Sequence, residues 1–416
     1  MRIAVIGAGV IGTTSAYELA RDGHEVTVFE RRGAAAEESS FANAGVLAPG
    51  YVTPWAAPGM PGKVARYLFS RHAPVKLSLP LTMSEITWMW RWLRSCNLQS
   101  YQANRLRLQR LAFYSRERLH QISAELQLEY DHSTGYMVLL RSEKDSQLAQ
   151  PGLQLLRDAG VAFSELSAQD ARKVEPALNP ETALFGAIHL AQDEVANCRQ
   201  FTLLLKNEAL RLGAQFQFNS VVQCLSLASP THVQLEGEAT ARSFDAVVVC
   251  AGVDSAKLLR SIGLNIPMVA VHGYSVSAPL RESLNAPRSA VMDERYKVAI
   301  SRLGQRVRVA GSAELGGSME HKRASSLRTL YKVLQDWFPG AAQFSSGVQE
   351  WKGARPMLPD GPPILGASGV PGVWLNLGHG SSGWALSCGS ARALADLVAQ
   401  RAPGLDLEGL GVERLG

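Results

Sequence analysis

Two glycine-rich runs in this chain have the spacing to bind anions. The first, Gly7-Ala8-Gly9-Val10-Ile11-Gly12, follows four apolar residues, Ile3-Ala4-Val5-Ile6, and precedes Glu30. Gly7 permits a tight turn, Gly9 lets the backbone approach a pyrophosphate, and Gly12 lets the next helix pack closely on a sheet. Glu30 ends a second strand, His24–Phe29, about 20 residues past the turn, where a carboxylate accepts from both hydroxyls of a ribose and repels a ribose phosphate. A bare glycine-rich turn means little. Strand, turn, helix and acid in register predict a dinucleotide site. The second run, Gly378-His379-Gly380-Ser381-Ser382-Gly383-Trp384, stands just before a helix, whose first N–H groups and dipole favour negative charge. The plain alternative is an ordinary glycine-rich helix start. His379 reads as structural rather than as a base, because the glycines suffice to make an anion site.

These residues need a scaffold, and the pattern supplies one. A helix is predicted from Ile11 to Arg21, with Gly23 as its stop. Prolines and glycines between Pro49 and Gly62 predict an ordered loop region, and an Arg- and Leu-rich helical stretch follows from Ser84 to Leu126. Tyr136–Leu140 is strand-like, Pro151-Gly152 marks a break, and Leu153–Ala159 reads as a short helix. Dinucleotide-fold features return with a helix over Cys198–Leu212, an alternating strand over Gln215–Val222, and a buried strand over Phe244–Gly252 that ends in Ala251 and Gly252. A last helix runs to about Gln400.

Composition sets the class. The 416 residues suffice for two or three domain-sized units, and 46% hydrophobic with 19% charged residues is ordinary for a globular chain. No apolar run reaches the 18 or so residues of a membrane span, and the amino terminus enters the fold without a signal-peptide pattern, so a cytoplasmic location is expected. Cys96, Cys198, Cys224, Cys250 and Cys388 fit neither a disulfide framework nor a metal site. A net charge of +5 does not suggest nucleic-acid binding but is compatible with attraction to an anionic membrane. Ile86–Arg94 mixes Trp, Met and Arg at helical spacing; a membrane-surface patch and a core helix with snorkelling arginines both fit.

Further motifs then come into view in order: Ser40–Gly45, Pro49-Gly50-Tyr51, Pro54–Gly59, Gly273-Tyr274-Ser275, Asp293–Lys297, Arg355-Pro356-Met357, Pro359-Asp360-Gly361, Gly378-His379-Gly380 and Cys388-Gly389-Ser390. With them the chain resembles, over nearly its whole length, the flavin-dependent D-amino-acid oxidase superfamily. Within it, the chain is similar to the FAD-bearing small subunits of bacterial D-amino-acid dehydrogenases. It departs from that pattern at His272, Ala354 and Leu377, where Lys, Leu and Thr are usual.

The resemblance implies an α/β fold with a discontinuous FAD-binding Rossmann-type domain (1–50, 196–265 and 350–416) and an interleaved α+β substrate-binding domain (51–195 and 266–349). It implies non-covalent FAD, with the pyrophosphate on Gly7, Gly9, Val10, Ile11 and Gly12, and the adenosine ribose at Glu30 beside Arg31. Ser39, Ser40 and Asn43 would contact the phosphates and ribityl chain, and Gly45, Val46 and Leu47 would line the isoalloxazine. Val222 would meet the adenine, Ala251 and Gly252 would close over the pyrophosphate, and the run from Gly378 to Trp384 would stabilise the negative charge of reduced flavin. Arg355 matches the carboxylate-binding arginine, a planar fork suited to a bidentate pair. Tyr274 would be its hydroxyl partner and Tyr51 a further substrate contact.

The implied reaction is oxidative deamination of a D-amino acid by hydride transfer to flavin, followed by hydrolysis to a 2-oxo acid and ammonia. It needs no protein general base. Electrons would pass to a membrane quinone, an electron-transfer chain or a dye, at the cytoplasmic face of the bacterial inner membrane. The alternatives are an O₂-using oxidase of the glycine, sarcosine or D-hydroxyproline type, and a non-catalytic flavoprotein.

Overall fold

A computed structural model describes residues 1–67, 70, 72–226 and 231–415. Ile3–Ile6 form the middle of the Arg2–Ile6 strand and are buried on both faces, which places that strand in the centre of a parallel sheet. The sheet has six strands. Across it lie Ile364–Ala367, Val373–Leu377, Ala246–Val249, Arg2–Ile6, Glu25–Phe29 and Gln215–Gln217; all neighbours are parallel except the first pair. Helix Val10–Arg21 starts directly behind the glycine turn, and Gly23, at φ +85°, reverses the chain after it. The chain leaves the central strand between two parallel neighbours, so the carboxyl ends of the strands open a crevice at that point. This is a Rossmann-type α/β domain.

A second, ten-stranded sheet, largely antiparallel, carries the rest of the site. Its strands Val269–Pro279, Arg306–Gly316 and Gln349–Met357 pair antiparallel, with Gly273 opposite Gly353. Helix Ala324–Trp337 covers one face, burying Leu330, Val333 and Trp337 against Tyr274 and Val276.

Several expectations change. The helical stretch predicted from Ser84 is two helices, Met83–Ser95 and Leu98–Glu125. Thr82 and Glu85 form a capping box on the first, and Asn97 caps the second. Pro151 does not break the chain: it lies inside helix Glu143–Asp158, which Ser142 caps and which buries Leu153 and Leu156. The strand expected over Gln215–Val222 stops at Gln217. The chain turns through Asn219 at φ +54° and starts a three-stranded meander at Val222. The loop region after Pro49 contains a helix, Met60–Tyr67.

The domain boundaries shift too. Gln349–Met357 belongs to the second sheet although its sequence position suggested the nucleotide domain. Helix Leu98–Glu125, expected in the substrate domain, buries Leu108, Leu111, Leu119 and Ile122 in the core beneath the nucleotide sheet. Val46–Leu47 pairs with Gly186–Ala196 of the second sheet. Strand partners and buried faces, which sequence position does not encode, decide these assignments.

Candidate active site

At the head of the central strand, Gly7 has φ +101°, and a Cβ there would stand 2.7 Å from the Cys250 carbonyl oxygen. At Gly12 a Cβ would come within 1.8 Å of the Gly7 carbonyl oxygen, so the helix reaches the turn only as glycine. Gly9 differs: its Cβ would meet only Ser40 Oγ, at 3.4 Å. Space, not protein, lies in front of Gly9. Ser40 Oγ accepts from Val10 N–H at 3.0 Å. Glu30, 8% exposed, accepts from Ala8 N–H at 2.7 Å and Arg32 N–H at 2.8 Å. A carboxylate has about four acceptor sites, which leaves capacity for a ribose. Arg31 pairs with Glu38 at 2.9 Å and with Asp254 at 2.7 Å, linking the end of one flanking strand to the segment after the other.

One continuous cavity of about 1310 Å³ runs from this turn to the second sheet. It exceeds the roughly 300–1,000 Å³ of most ligand pockets, which suits a dinucleotide together with a small substrate. Gly7, Gly9, Val10, Ile11, Glu30, Arg31, Ser39, Ser40, Asn43, Gly45 and Val46 line it, as do Val222, Ala251, Gly252 and the whole run from Gly378 to Trp384. Two expected cofactor contacts are absent from the wall. Gly12 serves the helix packing just described, and Leu47, 2% exposed, turns into the core beside Val52 and Trp384 because side chains alternate along its short strand.

Midway along the cavity, strand Val373–Leu377 ends and Gly378, at φ +77°, and Gly380, at φ +57°, turn the chain through Gly380–Ser382 into helix Gly383–Val398. Side chains are excluded at both glycines, since a Cβ would lie 2.4 Å from Leu358 Cδ1 and 2.8 Å from Met357 Sδ respectively. The result is a backbone-lined helix start facing the cavity. His379 is buried, its Nε2 lies 3.1 Å from Ser390 Oγ, and burial pushes its pKa down to about 3. It is neutral at pH 7.

Arg355 occupies the far end. Its Nη1 donates to the Ser312 carbonyl at 3.0 Å, and its guanidinium lies 5.7 Å from the centroid of the Trp55 ring. Among the described residues no carboxylate pairs with it, and burial alone lowers its pKa to about 10. A half-buried guanidinium that faces a cavity with most of its five donors unused is a ready partner for an anion. Gly273 makes the room: a Cβ there would stand 2.4 Å from Arg355 Nη2. Ser312, which holds the arginine, has φ +61°, an uncommon conformation for a residue with a side chain. Neither Ser312 nor Trp55 stood out as a site residue in the sequence. The Pro54-Trp55 motif was a visible signal; a carbonyl acceptor leaves none.

Tyr274 is a correction. Its ring reaches the cavity wall, but its hydroxyl donates to Glu314 and accepts from Arg323 N–H at 3.2 Å, on the side facing helix Ala324–Trp337. It has no donor left for a carboxylate held by Arg355. Burial pushes Glu314 up, but bonds from Ser78, Tyr274, Arg323 and Lys352 outweigh this and hold its pKa at about 2. Tyr51 lines the cavity with its ring against Tyr136, and its hydroxyl donates to Glu294 at 2.5 Å. His272 is buried and bonded through Nδ1 to the Gly316 carbonyl at 3.1 Å. Cys250 touches the cavity, yet burial lifts its thiol to about 12 and leaves it unreactive. Among the described residues no cluster of His, Cys, Asp and Glu could hold a metal.

Comparison with known proteins agrees with this geometry. Residues 2–397 match the family described as FAD dependent oxidoreductase. The chain is 42% identical over 416 residues to the D-amino acid dehydrogenase of Cereibacter sphaeroides, covering 100% of this chain and 95% of that relative. Among solved structures it is similar to glycine oxidase from Geobacillus kaustophilus, with TM-score 0.78, 21% identity, and coverage of 99% of this chain and 98% of that one. L-proline dehydrogenase from P. horikoshii gives TM-score 0.74, 17% identity, and coverage of 100% and 97%. At those identities the structures speak to the fold. The glycine turn, the open space before Gly9 and the helix start at Gly383 fit FAD, the cofactor of the family. The chain belongs to the family of FAD-dependent oxidoreductases.

Proposed function

We propose that the chain oxidatively deaminates D-amino acids to 2-oxo acids and ammonia and passes the electrons to a quinone or dye-type acceptor rather than to O₂. The observation that carries this reading is Arg355, a half-buried cation without a carboxylate partner among the described residues, in the same cavity as the cofactor-binding turns. The relative from Cereibacter sphaeroides, a D-amino acid dehydrogenase, supports the choice of substrate and acceptor class.

Bound FAD supplies a two-electron acceptor. Arg355 grips the substrate carboxylate through its planar fork, and the Ser312 carbonyl and Trp55 ring fix the guanidinium before substrate arrives, so little ordering remains to be done on binding. Partial burial of the arginine strengthens the pair by reducing its screening by water. Backbone N–H groups at the start of helix Gly383–Val398 would stabilise negative charge on a reduced cofactor held there. No protein base is assigned: His379, with a pKa of about 3, is too weak a base and is engaged with Ser390, and a substrate with a neutral amine gives up its α-hydrogen as hydride to the two-electron acceptor, leaving a protonated imine that water hydrolyses. In this reading FAD is held without a covalent bond, by the Gly7–Gly12 turn and the helix start at Gly383.

Anaerobic stopped-flow mixing tests the reading. D-alanine should bleach the flavin rapidly and L-alanine should leave it oxidised. Reoxidation by a soluble quinone should far outpace air. Equal reduction by both enantiomers, or rapid peroxide formation in air, would replace this reading with an oxidase or a different amine substrate.

A further inference from the structure

We infer that helix Met83–Ser95, the turn before it and helix Met60–Tyr67 form a docking face for an anionic bilayer, and that the rim of the cavity is part of this face. The inference rests on the reading that the acceptor is a membrane quinone.

Helix Met83–Ser95 has two apolar sides. One is used: Trp88, buried, donates its indole N–H to the Met357 carbonyl at 2.9 Å, stacks on Trp92, and joins Val269, Val271, Ala313 and Leu315 in a core. The other consists of Met83, Ile86, Trp90 and Leu93, a stripe at helical spacing with Met83 75% and Trp90 55% exposed. Leu79, in the turn before the helix, is 80% exposed. A contiguous stripe of this kind on a protein surface marks an interaction site.

Charge selects the occupant. Residues 60–96 contain six Lys and Arg and one Glu, a surplus of five that equals the surplus of the whole chain. On the two helices of the face themselves, Lys63, Arg66, Arg91 and Arg94 stand against Glu85 alone, a surplus of three. Arg94 lies over the Trp90 ring at 4.7 Å, a pairing suited to the headgroup layer, where an aromatic ring and a cation are both accommodated. Trp, Leu and Ile with interspersed Arg and Lys are the composition of an interfacial helix on anionic lipid. Among the described residues no helix is long and apolar enough to cross a membrane, so the contact is peripheral.

The cavity meets this face. Helix Met60–Tyr67 has no buried residue, and Met60, Lys63, Arg66 and Tyr67 line the cavity from its outer side. Trp55 and Val75 belong both to the cavity wall and to the apolar cluster beneath helix Met83–Ser95. A quinone dissolved in the bilayer therefore has a short path from lipid to the cavity, while the cationic rim draws in the carboxylate of an amino acid.

The test sediments holoprotein with vesicles of phosphatidylcholine alone or mixed with phosphatidylglycerol. Binding to the anionic vesicles should be at least about tenfold stronger and should reverse with salt. The Ile86→Asp, Trp90→Asp double variant should stay in the supernatant while keeping its FAD and its rate with D-alanine and a soluble dye. It should lose rate only with a long-tailed quinone carried in vesicles. Absence of binding by the unaltered protein, or equal binding by the double variant, overturns the proposal. So does a dimer that the double substitution dissociates without any vesicle binding, since the stripe would then cover a second copy. Vesicle binding is read without substrate, so loss of the D-amino acid reading would leave this result intact.

Discussion

The two ends of the cavity are built from different kinds of neighbours. At the dinucleotide end, Gly7, Gly9, Gly12 and Glu30 come from one strand–helix–strand unit, and their relation is set by the pitch of a helix and the length of a strand. At the substrate end, Arg355 takes its acceptor from Ser312, its ring contact from Trp55 and its space from Gly273, three segments far apart in sequence. The first end is a backbone device and demands glycine. The second is a side-chain device and demands neighbours. Substitutions should therefore fail in different ways at the two ends.

The largest effect is expected at Gly12. Gly12→Ala sets a Cβ against the Gly7 carbonyl oxygen, an overlap with backbone that no rotamer relieves. A loss of about 3 kcal/mol or more is expected, read as a fall in the urea midpoint of the apoprotein. Gly9→Val should leave that midpoint near normal, because only Ser40 Oγ stands near the new Cβ, yet abolish FAD uptake. Equal destabilisation by both would mean that Gly9 also serves the fold rather than the ligand.

Next comes Arg355→Lys, which keeps the charge and loses the fork. kcat/KM for D-alanine should fall by about 30- to 1000-fold, or roughly 2–4 kcal/mol, with FAD still bound. Tyr274→Phe sharpens the contrast. Loss of the bond to Glu314 should cost about 1–2 kcal/mol of stability, while KM changes by less than about twofold. A large rise in KM for Tyr274→Phe would restore the carboxylate role expected from sequence.

The smallest effect concerns His379, which sits between the two ends. Its pKa is about 3 in the folded chain and near 6.5 when exposed. Between those values the unfolded chain binds a proton that the folded chain refuses, so stability is complete above about pH 6.5 and is lost as pH falls toward 3. Between pH 7 and pH 6 the loss should stay below about 1 kcal/mol, and it grows at lower pH. Urea midpoints measured from neutral to mildly acidic pH should drop less for His379→Gln than for the unaltered chain. Identical slopes would place the acid sensitivity elsewhere.

Legibility in the sequence follows the same division. The spacing of Gly7 to Glu30 and the glycines from Gly378 to Gly383 were readable because each depends on contiguous residues. Arg355 was readable through the resemblance, but its place on the cavity wall and lack of a carboxylate partner among the described residues were not. Tyr274 misled because a strand residue next to a glycine can face either side. Packing against helix Ala324–Trp337 and the draw of Glu314 turned its hydroxyl away. Leu47 misled for the same reason, one step along a strand from a residue that does face the cavity.

By itself the sequence determined the dinucleotide turn and the strand and helix that flank it. These follow from local periodicity, glycine placement and composition, which a linear chain carries directly. Only the tertiary structure decided that Gln349–Met357 joins the second sheet, that Gly273 clears space for Arg355, and that one side of helix Met83–Ser95 is left without protein cover. Those outcomes depend on which distant strands pair and which faces find a partner, and a strand's register selects its buried face with a period of two residues that no single motif records.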